Sequence, residues 1–124
     1  MRFLYVKLTV KDVYKSIDFY TKLLDMNMVG TVPLEENIIY FLSDEDGQTQ
    51  IALSADFENP YIKDTKSKLF GCFGFGVDSM KEFEQKLFSM GYGYSRPPFY
   101  DEGMGTTIAF IEYPDCNEIE VMED

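Results

Sequence analysis

The spacing of apolar residues changes period several times along the chain, and each change marks a boundary between elements. From Phe3 to Val10 the period is two. Leu4, Val6, Leu8 and Val10 fall on one side, and Phe3, Tyr5, Lys7 and Thr9 on the other, which predicts a strand with one aliphatic face. Behind Asp12, an expected N-cap, Val13, Ile17, Tyr20 and Leu24 recur at helical spacing with Leu23 beside them. That helix is predicted to end near Asp25. Met28–Pro33 and Ile38–Ser43 read as two strands joined by Leu34-Glu35-Glu36-Asn37. Asp44-Glu45-Asp46-Gly47 then reads as a turn, with glycine where a positive φ is expected. Gln48–Ser54 alternates again, with Ile51 and Leu53 on one face and Gln50, Ala52 and Ser54 on the other.

After a polar stretch from Ala55 to Lys68, which carries Pro60 and reads as a connector, the same order returns. Leu69–Val77 is a predicted strand, with Phe73, Phe75 and Val77 on one face and Cys72, Gly74 and Gly76 on the other. Ser79-Met80-Lys81-Glu82 is a capping box, and Met80, Phe83, Leu87 and Met90 mark a helix stopped by Gly91. Tyr92–Tyr94 is a possible strand start. Arg96–Gly105, rich in proline and glycine, reads as a loop, and Thr106–Glu112 as a strand. After the Pro114-Asp115 turn comes a closing strand with Ile119 and Val121 on one face and Glu118, Glu120 and Met122 on the other.

The two halves align at an offset of 67, Val10 with Val77 and Tyr20 with Leu87, and with a small slip Phe41…Ile51 echoes Phe110…Ile119. Each half reads strand, helix, three strands. The expected fold class is α+β. Two βαβββ modules, residues 1–54 and 69–124 with a 55–68 connector, pair into a curved sheet around a cleft within a single domain. The helices are expected on the aliphatic face of each sheet. The cleft face then carries Tyr5, Lys7, Gln50, Ala52, Cys72, Gly74, Glu120 and Met122, a mixed set with small residues that leave room for a ligand.

Composition narrows the chemistry. The chain has 124 residues and a net charge of −11, a field that disfavours nucleic acid and anionic membrane as partners. It has no membrane-length apolar run, and its opening MRFLYVKLTV does not read as a signal peptide, so a cytoplasmic location is expected. Cys72 and Cys116 form no disulfide framework. Histidine is absent, which rules out a histidine-based zinc site and any Ser-His or Cys-His dyad.

The opening MRFLYVKLTVKDVYKSIDFYTKLLDMNMVG and the closing AFIEYPDCNEIEVME resemble the corresponding stretches of the lactoylglutathione lyases. Through them the chain resembles the glyoxalase, bleomycin-resistance and extradiol-dioxygenase superfamily. The resemblance spans nearly the whole chain and implies the paired βαβββ fold and a homodimer. It also implies zinc or nickel held at four positions, which fall here on Tyr5, Ala52, Cys72 and Glu120. Only Glu120 keeps the family's residue, and Cys116 replaces the glycine of the family's Pro-Asp-Gly turn. Ala52 has no donor atom, and a tyrosine must give up a proton with an ordinary pKa of about 10 before it ligates. The expectation is therefore a cleft without a metal or other cofactor. The two-His, one-carboxylate iron site of the dioxygenases is excluded by the absence of histidine.

Three functions fit. One is binding of a small organic molecule, as by the antibiotic-sequestering members. A second is lyase or isomerase chemistry with Glu120 as general acid or base, since a partly desolvated carboxylate suits that role. The third is a dimeric interaction module with no small ligand. Lys7 is a candidate for a ligand anion and Arg96 for a clamp.

Overall fold

The computed structural model describes residues 1–35, 37–55, 73–112 and 118–124. The chain divides into two units, Met1–Asp64 and Thr65–Asp124. In the first, β1 (Val6–Val10) leads into α1 (Val13–Asp18), followed by β2 (Asn27–Pro33), β3 (Ile38–Ser43) and β4 (Gln50–Ala55). These strands form a four-stranded sheet in the order β1-β4-β3-β2. β1 runs parallel to β4 and the other pairs are antiparallel. In the second unit, β5 (Phe73–Val77), α2 (Met80–Ser89), β6 (Arg96–Asp101), β7 (Thr106–Glu112) and β8 (Glu118–Glu123) repeat the pattern. Their order is β5-β8-β7-β6, with β5 parallel to β8. The fold class is α+β, as the pattern predicts, and the repeat seen in sequence is a repeat of topology. No helix among the described residues is long and apolar enough to cross a membrane.

The capping residues act as expected. Asp12 Oδ1 accepts from the Lys15 N–H at 3.1 Å, and Ser79 Oγ from the Glu82 N–H at 3.2 Å. α2 stops at Gly91, which takes φ 83°, a region costly for any residue with a Cβ. Each helix covers the aliphatic face of its own sheet. Leu8, Val10, Ile51, Leu53 and Leu42 are buried with Phe19, Tyr20 and Leu23 in the first unit, and Ile119, Val121, Ala109 and Ile111 with Phe83 and Leu87 in the second.

The structure corrects the sequence reading in several places. β1 begins at Val6, not Phe3, because its ladder starts at Val6↔Ile51, one residue into β4. Phe3 and Leu4 lie beyond that ladder and are exposed. The first helix does run to the predicted end, but from Phe19 to Leu23 it is a π-helix. Ser16 and Phe19 are fully buried, whereas Ile17, placed on the stripe by 3.6-residue spacing, is half-buried.

β4 starts at Gln50 instead of Gln48 because the Gln48 and Thr49 N–H groups are taken by Asp44 Oδ1, at 2.9 and 3.1 Å. Within that turn Gly47 has the expected positive φ, 71°.

The largest correction is β6. Arg96–Asp101 reads as a loop because of Pro97 and Pro98, yet it is the edge strand of its sheet. An edge position tolerates proline, since one row of N–H groups has no ladder partner to lose. The register also shifts between Arg96 and Phe99, so the two prolines sit in an irregularity of the pairing. Tyr92–Tyr94 forms no strand. The body of the 55–68 connector, the start of the predicted Leu69–Val77 strand, Cys72 and the turn holding Cys116 lie outside the described residues.

Candidate ligand-binding site

Strand register assembles one row of side chains across each sheet. In the first unit Lys7 pairs with Ala52, Ala52 with Phe41, and Phe41 with Gly30. In the second, Gly74 pairs with Glu120, Glu120 with Phe110, and Phe110 with Arg96. Residues paired in register project to the same side, so each row stands on the face opposite its helix. The rows correspond: both have phenylalanine on the third strand of the module, and Ala52 stands where the other row has Glu120.

The first row is cationic at its β1 end. Lys7 is exposed and makes no ion pair among the described residues, while Ala52 beside it is 0% exposed. Tyr5, two residues before Lys7, is 42% exposed and meets the Phe41 ring edge-on, with centroids 5.1 Å apart. Gln50, next along the Ala52 face of β4, is half-buried, and Ser54 and Ser43 are buried.

The second row has the opposite arrangement. Glu120 is half-buried between an open strand edge and an aromatic ring. A Cβ added at Gly74 would meet no heavy atom within 4 Å, so the β5 side of the carboxylate is free space. On its other side Phe110 is covered by the Arg96 guanidinium, 4.4 Å from the ring centroid. Arg96 also lies over the Phe99 ring at 5.4 Å, and its Nη1 is 3.9 Å from Glu118 Oε1. Met122, two residues beyond Glu120, is half-buried.

Of the predicted site residues, the first sheet thus brings together Lys7, Ala52 and Gln50 with Tyr5 adjacent, and the second brings together Gly74, Glu120 and Met122. Cys72 lies outside the described residues. The two phenylalanines were not among the predicted site residues, and Arg96 was predicted only as a clamp on a loop. The Phe41/Phe110 echo in the repeat was the signal for the first two. Arg96, expected as a clamp on a loop, instead begins β6 and lies over Phe110.

A sequence profile of the glyoxalase/bleomycin resistance protein/dioxygenase superfamily matches residues 2–121. The chain belongs to that superfamily. Within it, the chain is 29% identical over 126 residues to a lactoylglutathione lyase of Escherichia coli O157:H7, covering all of this chain and 93% of that protein. It is 30% identical to a probable chloroplastic lactoylglutathione lyase of Arabidopsis thaliana over 98% of this chain and 35% of the plant protein. The glyoxalase fold is shared with an E144Q mutant of glyoxalase I from Zea mays, at TM-score 0.84 and 23% identity over 99% of this chain. This chain spans 45% of the maize chain. A structure titled SMU.1112c matches end to end, with TM-score 0.80, 19% identity and 98% of that chain covered.

The superfamily's metal fits the residues of this chain poorly. At the position expected to supply the β4 ligand stands a methyl group, Ala52, and the neighbour it pairs with is an ammonium, Lys7. A lysine offers three N–H donors and no lone pair while charged, and it repels a dication. Among the described residues no group of three or more Cys, Asp or Glu is gathered in metal-ligating range.

Proposed function

We propose that this glyoxalase-superfamily chain binds a small organic molecule on the Lys7–Ala52–Phe41 face of its first sheet, without the superfamily's metal, and that Lys7 takes the ligand's anionic or carbonyl oxygen. The observation that carries this reading is the register pair Lys7↔Ala52, which puts a positive charge beside the position where a carboxylate ligand would be needed. Tyr5 and Phe41 supply an aromatic wall beside that charge.

The test has two arms. Purified protein is dialysed against zinc and nickel and its metal content measured; the reading expects no stoichiometric metal. A thermal-shift screen of small organic carboxylates and carbonyl compounds follows. A ligand at a hundred times its Kd stabilises by about 2.7 kcal/mol. The shift is expected to vanish in Lys7→Met. One tightly held metal per chain, or a ligand shift indifferent to Lys7, overturns the reading. In keeping with the family resemblance we also infer a homodimer, which light scattering on the eluted protein tests.

A second reading has its own support. The free space at Gly74 beside the half-buried Glu120 suits a general acid or base reaching a bound substrate. The relatives' name makes the hemithioacetal of glutathione the first substrate to assay, with and without added nickel. Turnover that disappears in Glu120→Gln supports a lyase or isomerase. Turnover unchanged in that variant sinks the role of Glu120.

A further inference from the structure

The first unit has a second concavity, on the helix-covered face of its sheet and so on the opposite side from Lys7 and Phe41. It is an open concavity of about 350 Å³. That is near the lower end of the range for small-molecule sites. Its apolar floor is Val13 at the start of α1, Ile38 on β3 and Ala55 at the end of β4. Two aromatic rings form walls: Tyr14 and Tyr40 stand 6.5 Å apart, inclined at 64°. Glu35 contributes a carboxylate at the rim.

The polar groups here have defined states. The Asn37 side-chain amide donates to the Ala55 carbonyl at 3.3 Å, and the Leu34 N–H to the Asn37 carbonyl at 2.7 Å, which fixes the mouth next to Glu35. A hydrogen bond with Tyr14, then burial, raises the Tyr40 phenol above the ordinary tyrosine value. Among the described residues no lysine or arginine lines the concavity. A carboxylate or phosphate would find no counter-charge there, and the chain as a whole carries −11.

We propose that this concavity is a binding site for a compact organic cation, an alkylated ammonium of the choline type. Its methyl groups would rest on Val13, Ile38 and Ala55, while its charge faces the rings of Tyr14 and Tyr40 and the carboxylate of Glu35. A quaternary ammonium is weakly hydrated and cannot donate hydrogen bonds. Aromatic faces and one carboxylate are therefore the groups that recognise it, each cation–π contact contributing roughly a 2- to 30-fold gain in affinity.

The test is calorimetric titration of the whole chain with choline chloride, against its uncharged isostere 3,3-dimethylbutan-1-ol, at matched ionic strength. Choline is expected to bind one per chain, at least ten-fold tighter than the neutral alcohol. Tyr14 is 70% exposed, so Tyr14→Leu should leave the fold intact, which an unchanged melting temperature checks. Affinity should fall by about five-fold or more in Tyr14→Leu and in Glu35→Gln, and stay within about two-fold in Tyr14→Phe, which keeps the ring. Lys7→Met should leave choline binding unchanged, which separates this site from the one proposed at Lys7 on the other face of the sheet. Equal binding of the neutral alcohol, no choline binding, or indifference to both Tyr14→Leu and Glu35→Gln would overturn the proposal.

Discussion

The stacking of Arg96 on Phe110 can be measured directly, and it decides whether the second row is a preorganised surface. The guanidinium is 4.4 Å from the Phe110 centroid and 5.4 Å from that of Phe99, and it is 3.9 Å from Glu118. The Arg96 and Glu118 side chains are 57% and 38% exposed. At that exposure the ion pair contributes about 0.2–1 kcal/mol and the stacking on one ring about 0.5–1 kcal/mol. Arg96→Met keeps much of the stem's packing and loses both, so it should cost about 1–2 kcal/mol. Phe110 is 7% exposed, and Phe110→Leu exchanges one buried apolar side chain for a smaller one, costing about 1–3 kcal/mol. The double variant should be less destabilised than the sum, with a coupling of about 0.5–1 kcal/mol. Urea denaturation of the four proteins gives this coupling, provided the m-value is constant across them. A coupling within error of zero would mean that the guanidinium is not held by the ring. Raising the salt to 1 M should weaken the Glu118 contribution and leave the ring contribution largely intact.

Three other perturbations test separate parts of the structure. A Cβ at position 74 meets no heavy atom within 4 Å, and Gly74→Ala removes a flexible residue from a strand, so the melting temperature should hold or rise; any ligand seated beside Glu120 should bind more weakly, and unchanged binding would place that ligand elsewhere. Leu87→Ala, at a fully buried position on α2, should cost about 2–5 kcal/mol by urea denaturation, and a cost under 1 kcal/mol would contradict the packing of α2 on its sheet. Burial, and then the charge of Glu84, push the Tyr94 phenol up to about 12; Glu84 acts mainly through its charge, because the buried hydroxyl has no partner in hydrogen-bonding geometry. With an unfolded value of about 10 the folded state holds this proton more tightly, so the contribution is complete below pH ~10 and is lost as pH rises toward ~12. Discounted for the tyrosine's partial exposure, the loss is on the order of 1 kcal/mol and should be absent in Tyr94→Phe.

Much of this architecture could be read from the sequence, because period, caps and repeat all point the same way. The alternation in β1 and β8 assigned Lys7 and Glu120 to the face away from the helices, and the register agrees. The failures have local causes. Pro97 and Pro98 look like loop residues because proline is excluded from central strands, and the sequence does not reveal that β6 is an edge. Ile17 was put on the buried stripe by its spacing from Val13, but on α1 it is Ser16, three residues from Val13, that is buried, and Ile17 is half-buried. The concavity bounded by Tyr14, Tyr40 and Glu35 left no signal, because its walls come from a helix start, a strand and a turn far apart in the chain.

The two rows also explain in physical terms why a metal is poorly supported. Duplication places Ala52 and Glu120 at equivalent points, each between the first and third strands of its module. A chain that had lost only the carboxylate at position 52 would keep a neutral surface, and other donors could still complete a site. Here the neighbour of Ala52 is Lys7. Adjacent strands are about 5 Å apart, so a dication beside Ala52 would sit roughly 5–10 Å from the ammonium, depending on how far the flexible stem swings away. At an effective dielectric of about 20 the repulsion is then about 3–7 kcal/mol. That is enough to offset two or more orders of magnitude in affinity. The same charge attracts an anionic or carbonyl oxygen over the same range. On the reading proposed above, a methyl group at position 52 with a lysine beside it favours an electron-rich ligand over a cation.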